Sequence, residues 1–194
     1  MNLEHVKEVF ENISFCEREI NADEFEDCVF KNCIFEEAFI GECGFYDCNF
    51  EGCTARELTV KNCRMRSCNF KDCALIGISW DCFTDSYGDY EEPFEKIEAC
   101  TFKYNTFTKL NFTKMNFGKS IICESFFTDC LCKNADFSCC NLENTQFDEC
   151  NLSGADFRNA NGWVISLKRN TVKGASFSFP EVVNLLSDAG INWE

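Results

Sequence analysis

Residues 28–53 read CVFKNCIFEEAFIGECGFYDCNFEGC. Cut at every fifth residue, the run becomes CVFKN, CIFEE, AFIGE, CGFYD and CNFEG, with a large apolar residue always third and a cysteine or alanine always first. Two inward residues in every five match neither the 3.6-residue period of a helix nor the alternation of a strand. A chain that turns once every five residues produces this pattern.

Carried outward, the same register gives Phe10, Phe15, Ile20, Phe25, Phe30, Phe35, Ile40, Phe45, Phe50, Ala55, Val60, Met65, Phe70, Leu75 and Trp80, all apolar. With 45% of the chain apolar, such a sequence of draws arises by chance in about one reading in a hundred thousand. After Trp80 the register breaks. It resumes, shifted by two, at Ile97, Phe102, Phe107, Phe112, Phe117, Ile122, Phe127, Cys132, Phe137, Leu142, Phe147, Leu152 and Phe157. The position two before each tends to be small, and most of the 17 cysteines sit there, among them Cys28, Cys48, Cys68, Cys130 and Cys150. The other three positions carry Asp, Asn, Glu, Lys, Arg and Gly and face water.

Composition agrees with an unusual β architecture. The chain has 22 Phe but only 10 Gly and 2 Pro, whereas hairpin turns draw heavily on Gly. No apolar run approaches the ~18 residues of a membrane span, and MNLEHVKEVF has no secretory h-region. The expectation is a soluble, cytoplasmic protein with free, buried thiols. A formal net charge of −15 argues against direct binding to nucleic acid and leaves open a basic partner.

Units such as CVFKN, CNFKD, ADFSC, CNLSG and ADFRN resemble those of the pentapeptide-repeat family, over residues 10–160. The resemblance implies an all-β fold, a right-handed quadrilateral parallel β-helix, in which four units make a coil and residues twenty apart stack. Phe10, Phe30, Phe50 and Phe70 then form one ladder, Phe107, Phe127 and Phe147 another, and Phe117, Phe137 and Phe157 a third. The same stacking puts Cys33, Cys53 and Cys73 in one file. Neighbouring Cα atoms there fall within disulfide range, but parallel side-chain directions oppose the bond. A zinc site is disfavoured by the closed interior, the absence of CxxC pairs and a single histidine.

The organisation expected is one domain over 1–194: a first block at 10–80, an inserted loop at 81–96, a second block at 97–160 and a C-terminal cap at 163–194. The loop sets Asp85, Tyr87, Asp89, Tyr90, Glu91, Glu92 and Phe94 on a rigid scaffold, where binding groups usually reside. The competing reading is a solvated bulge that absorbs the register shift. Asn105, Leu110 and Met115 replace small residues and predict local distortion, as do Leu58 and Ile78. A short helix should close the column, capped by Ser178, with Pro180 in its first turn, Val182, Leu185 and Leu186 on its inner face, and Gly190 as its stop. At the other end Leu3, Val6 and Val9 are expected to cover the core. The tail, with Ile191 and Trp193, is expected to pair with a second copy into a homodimer, as is common in the family.

No catalytic constellation is visible, since His5 has no nucleophile to serve and no phosphate loop is present; no enzyme activity, cofactor or metal is expected. The size, central loop, GISW run at 77–80 and C-terminal helix look like the members that protect type II topoisomerases, the Qnr-type quinolone-resistance and microcin-immunity proteins. That resemblance implies mimicry of duplex DNA and a partner in DNA gyrase or topoisomerase IV. About seven coils at ~4.8 Å make a rod of roughly 33 Å, so the net charge is spaced about 2.2 Å apart against ~1.7 Å in DNA. Its placement is uneven: residues 11–80 carry fourteen acids and seven bases, 81–96 six and one, 97–162 eight and six, and 163–194 three and three. The alternatives are a scaffold for some other basic protein, and charge that merely keeps a Phe-rich rod soluble.

Overall fold

The computed structural model describes residues 3–83 and 90–192. Most five-residue units of the first block lay down a three-residue strand, such as Val29–Lys31 or Ile34–Glu36. The next residue is left-handed, with φ between 49° and 60° at Asn12, Ala22, Asn32, Glu42 and their equivalents. That residue turns the corner, and its N–H donates to the coil above: Asn12 to the Lys31 carbonyl at 2.8 Å and Asn32 to that of Glu51 at 2.8 Å. Asn and Asp tolerate this conformation best among residues with a side chain, which explains why the slot is polar. Four such corners close a coil, and about eight coils stack as a parallel β-solenoid.

Residues twenty apart do pair. Phe10 aligns with Phe30, Phe30 with Phe50 and Phe50 with Phe70, with rings stacked at 4.9, 4.8 and 4.8 Å. Phe107, Phe127 and Phe147 stack at 4.5 and 4.8 Å, and Phe117, Phe137 and Phe157 at 4.5 and 5.0 Å. These rings belong to one buried column. The small-residue files line its corners: Cys48 Sγ donates to the Phe25 carbonyl of the coil below at 3.4 Å, and Cys53 Sγ to that of Phe30 at 3.2 Å. All seventeen cysteines are free.

In the second block two faces abandon three-residue strands for single bridges, as between Asn116 and Asp136 or Asn111 and Leu131. The cause is local. Asn116 Oδ1 accepts the Gly118 N–H at 2.7 Å and Asp136 Oδ1 that of Ser138 at 2.8 Å, so an Asx turn replaces the strand.

The insertion is shorter than 81–96. Pairing changes from a spacing of twenty to Ala74 with Thr101 and Leu75 with Phe102, which is seven residues longer. Trp80–Phe83 is a 3-10 helix whose Trp80 and Phe83 stay in the core. Phe94–Glu98 is already solenoid strand, joined to Cys68–Lys71 through a bulge, and Phe94 is only 4% exposed, with its ring 4.7 Å from that of Trp80. Phe94 therefore cannot serve on a binding surface: counting back from Ile97 missed the bulge that returns the chain early. At the same junction Asn105 is fully buried. Its Oδ1 accepts the Ile78 N–H at 3.2 Å and Trp80 Nε1–H at 3.1 Å, and its Nδ2 donates to the Leu75 and Lys103 carbonyls at 2.8 and 3.1 Å. The amide ties the coil before the insertion to the coil after it, a task for which a single thiol has too few donors and acceptors.

The solenoid also runs past 160. Asn161–Ile165 pairs onto the coil below, and Ser176–Phe177 onto Asp156–Phe157. Gly162 is required there, because its φ is +73° and a Cβ would lie 2.6 Å from the Glu143 Cα. The helix begins at Val183 and ends at Asp188, one turn later than Ser178 would cap it; the Ser178 hydroxyl instead accepts the Asn159 N–H at 3.1 Å. Pro180 precedes the helix. Leu185 is buried over the column and Gly190 follows with φ 76°. At the other end Leu3, Val6 and Val9 point outward and are more than half exposed, leaving His5, Phe10 and Phe15, half-buried, as the last inward residues described.

Two outcomes follow for solution experiments. A thiol reagent should modify exposed Cys139 rapidly and half-buried Cys16 and Cys82 slowly, with the remaining thiols reacting only on unfolding. Burial pushes Cys140 up to about 12, whereas an unfolded thiol ionises near ~8.5. The unfolded chain thus loses protons first, and the urea midpoint should fall as pH rises from ~8.5 toward that value. Separately, Asn105→Ala strands the Ile78 N–H and the Trp80 indole N–H. At ~1–3 kcal/mol per orphaned group, urea unfolding should show a loss of about 2 kcal/mol or more.

Candidate partner-binding surface

Every residue in the left-handed slot stacks on its counterpart one coil away, so a charge placed there repeats along the rod. In the first block one corner carries Glu17, Glu37 and Glu57, with φ 53°, 52° and 53°, and all three are exposed. A second corner carries exposed Asp27 and Asp47. None of these five enters an ion pair or side-chain hydrogen bond with another described residue. Two other acids of the block are neutralised, Glu51 by Lys31 at 3.5 Å and Glu36 by Arg56.

In the second block most carboxylates near the corners are matched. Lys103 meets Glu124 at 3.4 Å, Arg158 meets Asp156 at 2.6 Å, and Arg169 reaches Asp148 and also Glu149 at 3.1 Å. The guanidiniums of Arg169 and Arg158 hold Asp148 and Asp156 below the usual carboxylate range by hydrogen bonding. The uneven charge of the sequence is thus sharpened into geometry, with unpaired acidic columns confined to the first block.

The insertion returns along the second block. The Glu91 N–H donates to the Lys109 carbonyl at 3.2 Å, the Asn111 N–H donates to the Glu91 carbonyl at 2.8 Å, and Asn111 Nδ2 donates to Glu92 Oε1 at 2.6 Å. Tyr90 is 37% exposed, and its hydroxyl donates to Asp129 Oδ1 at 3.0 Å, a bond that raises the phenol above its ordinary range. The structure therefore brings Tyr90, Glu91 and Glu92 together on one corner. Asp85, Tyr87 and Asp89 lie outside the described residues, as does Trp193. Phe126 and Val164 are exposed on a face of the second block, flanking Gln146.

At the C-terminus Leu185 is buried and Val182 half-buried, whereas Leu186 and Ile191 face outward, as does Phe179 at 79% exposure. The corner columns were the site feature that sequence reading missed. Their signal was present as a Glu recurring at 17, 37 and 57.

Units of five residues, four to a coil, define the class: a parallel β-helix of pentapeptide repeats. Two family models match, one described as a pentapeptide repeat region over residues 23–84 and one as pentapeptide repeats over residues 127–161. The chain belongs to the pentapeptide-repeat family. Among solved structures it is similar to HetL, a pentapeptide repeat protein involved in heterocyst differentiation regulation from the cyanobacterium Nostoc sp. strain PCC 7120. That match has a TM-score of 0.50 and 9% identity and covers 90% of this chain and 84% of that one. A trypsin-treated form of QnrB1, a plasmid-mediated fluoroquinolone resistance protein, matches with a TM-score of 0.44 and 15% identity over 100% of this chain and 99% of that one. No curated protein matches by sequence. These structural likenesses concern the fold. Among the described residues no group of His, Cys, Asp or Glu is arranged to hold a metal ion, and no helix is long and apolar enough to cross a membrane.

Proposed function

We propose that this protein is a non-catalytic binding protein that presents an acidic rod to the DNA-binding surface of a type II topoisomerase, DNA gyrase or topoisomerase IV, and so protects the enzyme from quinolones or toxins. The observation that carries this reading is the file of unpaired carboxylates at Glu17, Glu37 and Glu57. Strand spacing sets such charges ~4.8 Å apart along a rigid axis, and a surface built to neutralise phosphates with Lys and Arg meets them without rearrangement. The resemblance of the size, central loop, GISW run and C-terminal helix to topoisomerase-protecting relatives supplies the partner. Seventeen unpaired thiols suit a reducing cytoplasm.

The first block is the end that binds, because the second block has spent its acids on its own bases. The C-terminal end instead joins two copies through Leu186 and Ile191. A scaffold for another basic protein is favoured by a different feature, the corner that exposes Tyr90 and Glu92 beside half-buried Glu91.

In a gyrase supercoiling assay the purified protein should inhibit at micromolar concentration or relieve quinolone inhibition. The Glu17→Gln, Glu37→Gln, Glu57→Gln triple variant should weaken the effect about tenfold or more, from three exposed charges at ~0.5 kcal/mol each. No effect of the wild type on gyrase or topoisomerase IV overturns the topoisomerase reading, and retained potency in the triple variant overturns the role of the column. Sedimentation equilibrium should show a dimer that Leu186→Asp with Ile191→Asp converts to monomer; a wild-type monomer sinks the two-copy assembly.

A further inference from the structure

The third coil has the leanest core of the first block. Its central residues are Phe50, Ala55, Val60 and Met65, against Phe30, Phe35, Ile40 and Phe45 in the coil below. A solenoid cannot shrink one coil alone, because the inter-coil hydrogen bonds fix the cross-section to that of its neighbours. The missing side-chain volume therefore remains as space. A cavity of about 40 Å³ lies there, bounded by Ala55, Leu58, Met65, Trp80 and Phe83 among others.

Two features fix what it can hold. A buried water needs two to four polar partners, and the polar atoms of the wall are already engaged. Trp80 Nε1 donates to Asn105 at 3.1 Å, and Cys53 Sγ to the Phe30 carbonyl at 3.2 Å. Water gains nothing by entering, whereas an apolar molecule recovers dispersion contacts with the wall. Its size is set by the volume, since a single water-sized molecule needs only ~10–15 Å³ of such space. Access is also local. Leu58 is the one half-buried residue of the lining, and among the described residues the adjoining strand Thr59–Lys61 is paired along one side only, as the outermost strand of its sheet.

We propose that this cavity is a binding site for a single gas-sized apolar molecule, such as dioxygen or a one- or two-carbon hydrocarbon, admitted beside Leu58. Xenon is the probe. Titrated into the full chain and followed by xenon-129 NMR, it should give a saturable shift in the wild type. The shift should be reduced in Ala55→Val and abolished in Ala55→Leu, whose side chains grow into the space. Should Ala55→Leu fail to fold by circular dichroism, the wild-type methyl resonances of Leu58 and Met65 decide: displacement by xenon supports the site and no displacement overturns it. A wild-type shift that is linear in xenon overturns the site, as does saturation that persists in both folded variants.

Discussion

One hydrogen bond, repeated at each corner, holds the architecture: the N–H of a left-handed residue donating to the carbonyl one coil above, as Asn32 does to Glu51. A left-handed residue with a side chain costs ~1–2 kcal/mol, and the bond returns ~0.5–1.5 kcal/mol. The balance is supplied by the rings that the corner brings into register. Phe30 and Phe50 lie 4.8 Å apart because their backbones do. Each burial contributes roughly 1.5–3 kcal/mol and stacking somewhat more. Neither half stands alone: without the corners the rings would not align, and without the rings the corners would not hold.

The same bond explains the surface. Because the corner residue is fixed in space, its side chain repeats coil after coil, and sequence identity at a spacing of twenty becomes a physical column. The acidic files at Glu17, Glu37 and Glu57 and at Asp27 and Asp47 follow directly. The alternating Lys31 and Glu51 on a neighbouring row show the opposite outcome of the same rule, a self-neutralising ladder.

This regularity made most of the fold legible in the sequence. The period, the Phe ladders and the break after Trp80 all follow from counting in fives, because the fold itself counts in fives. What counting could not give was anything that violated it. Phe94 entered the core through a bulge, Asn105 bonded the coils on both sides of the insertion through its amide, and Ser178 was taken by Asn159 before it could cap a helix. Each is a tertiary demand felt by one residue, with no partner five positions away to reveal it. The site was less legible still. Tyr90, Glu91 and Glu92 were found through the irregularity of the loop, whereas the acidic corner was hidden inside the regularity.

The seven-residue insertion also divides the four faces into two kinds. The face of Phe70 and the face of Leu75 carry their strand pairing through the junction, to Ile97 and Phe102. The sheets ending at Thr59–Lys61 and at Arg64–Arg66 give way there, among the described residues, to isolated bridges, Ser79 with Thr106 and Glu91 with Leu110. Mechanically the rod is therefore a beam notched on one corner: stiff when load compresses the interrupted faces together, compliant when load opens them. Its easy bending direction is built into the chain, and a partner that gripped both blocks would find a body able to curve one way and not the other.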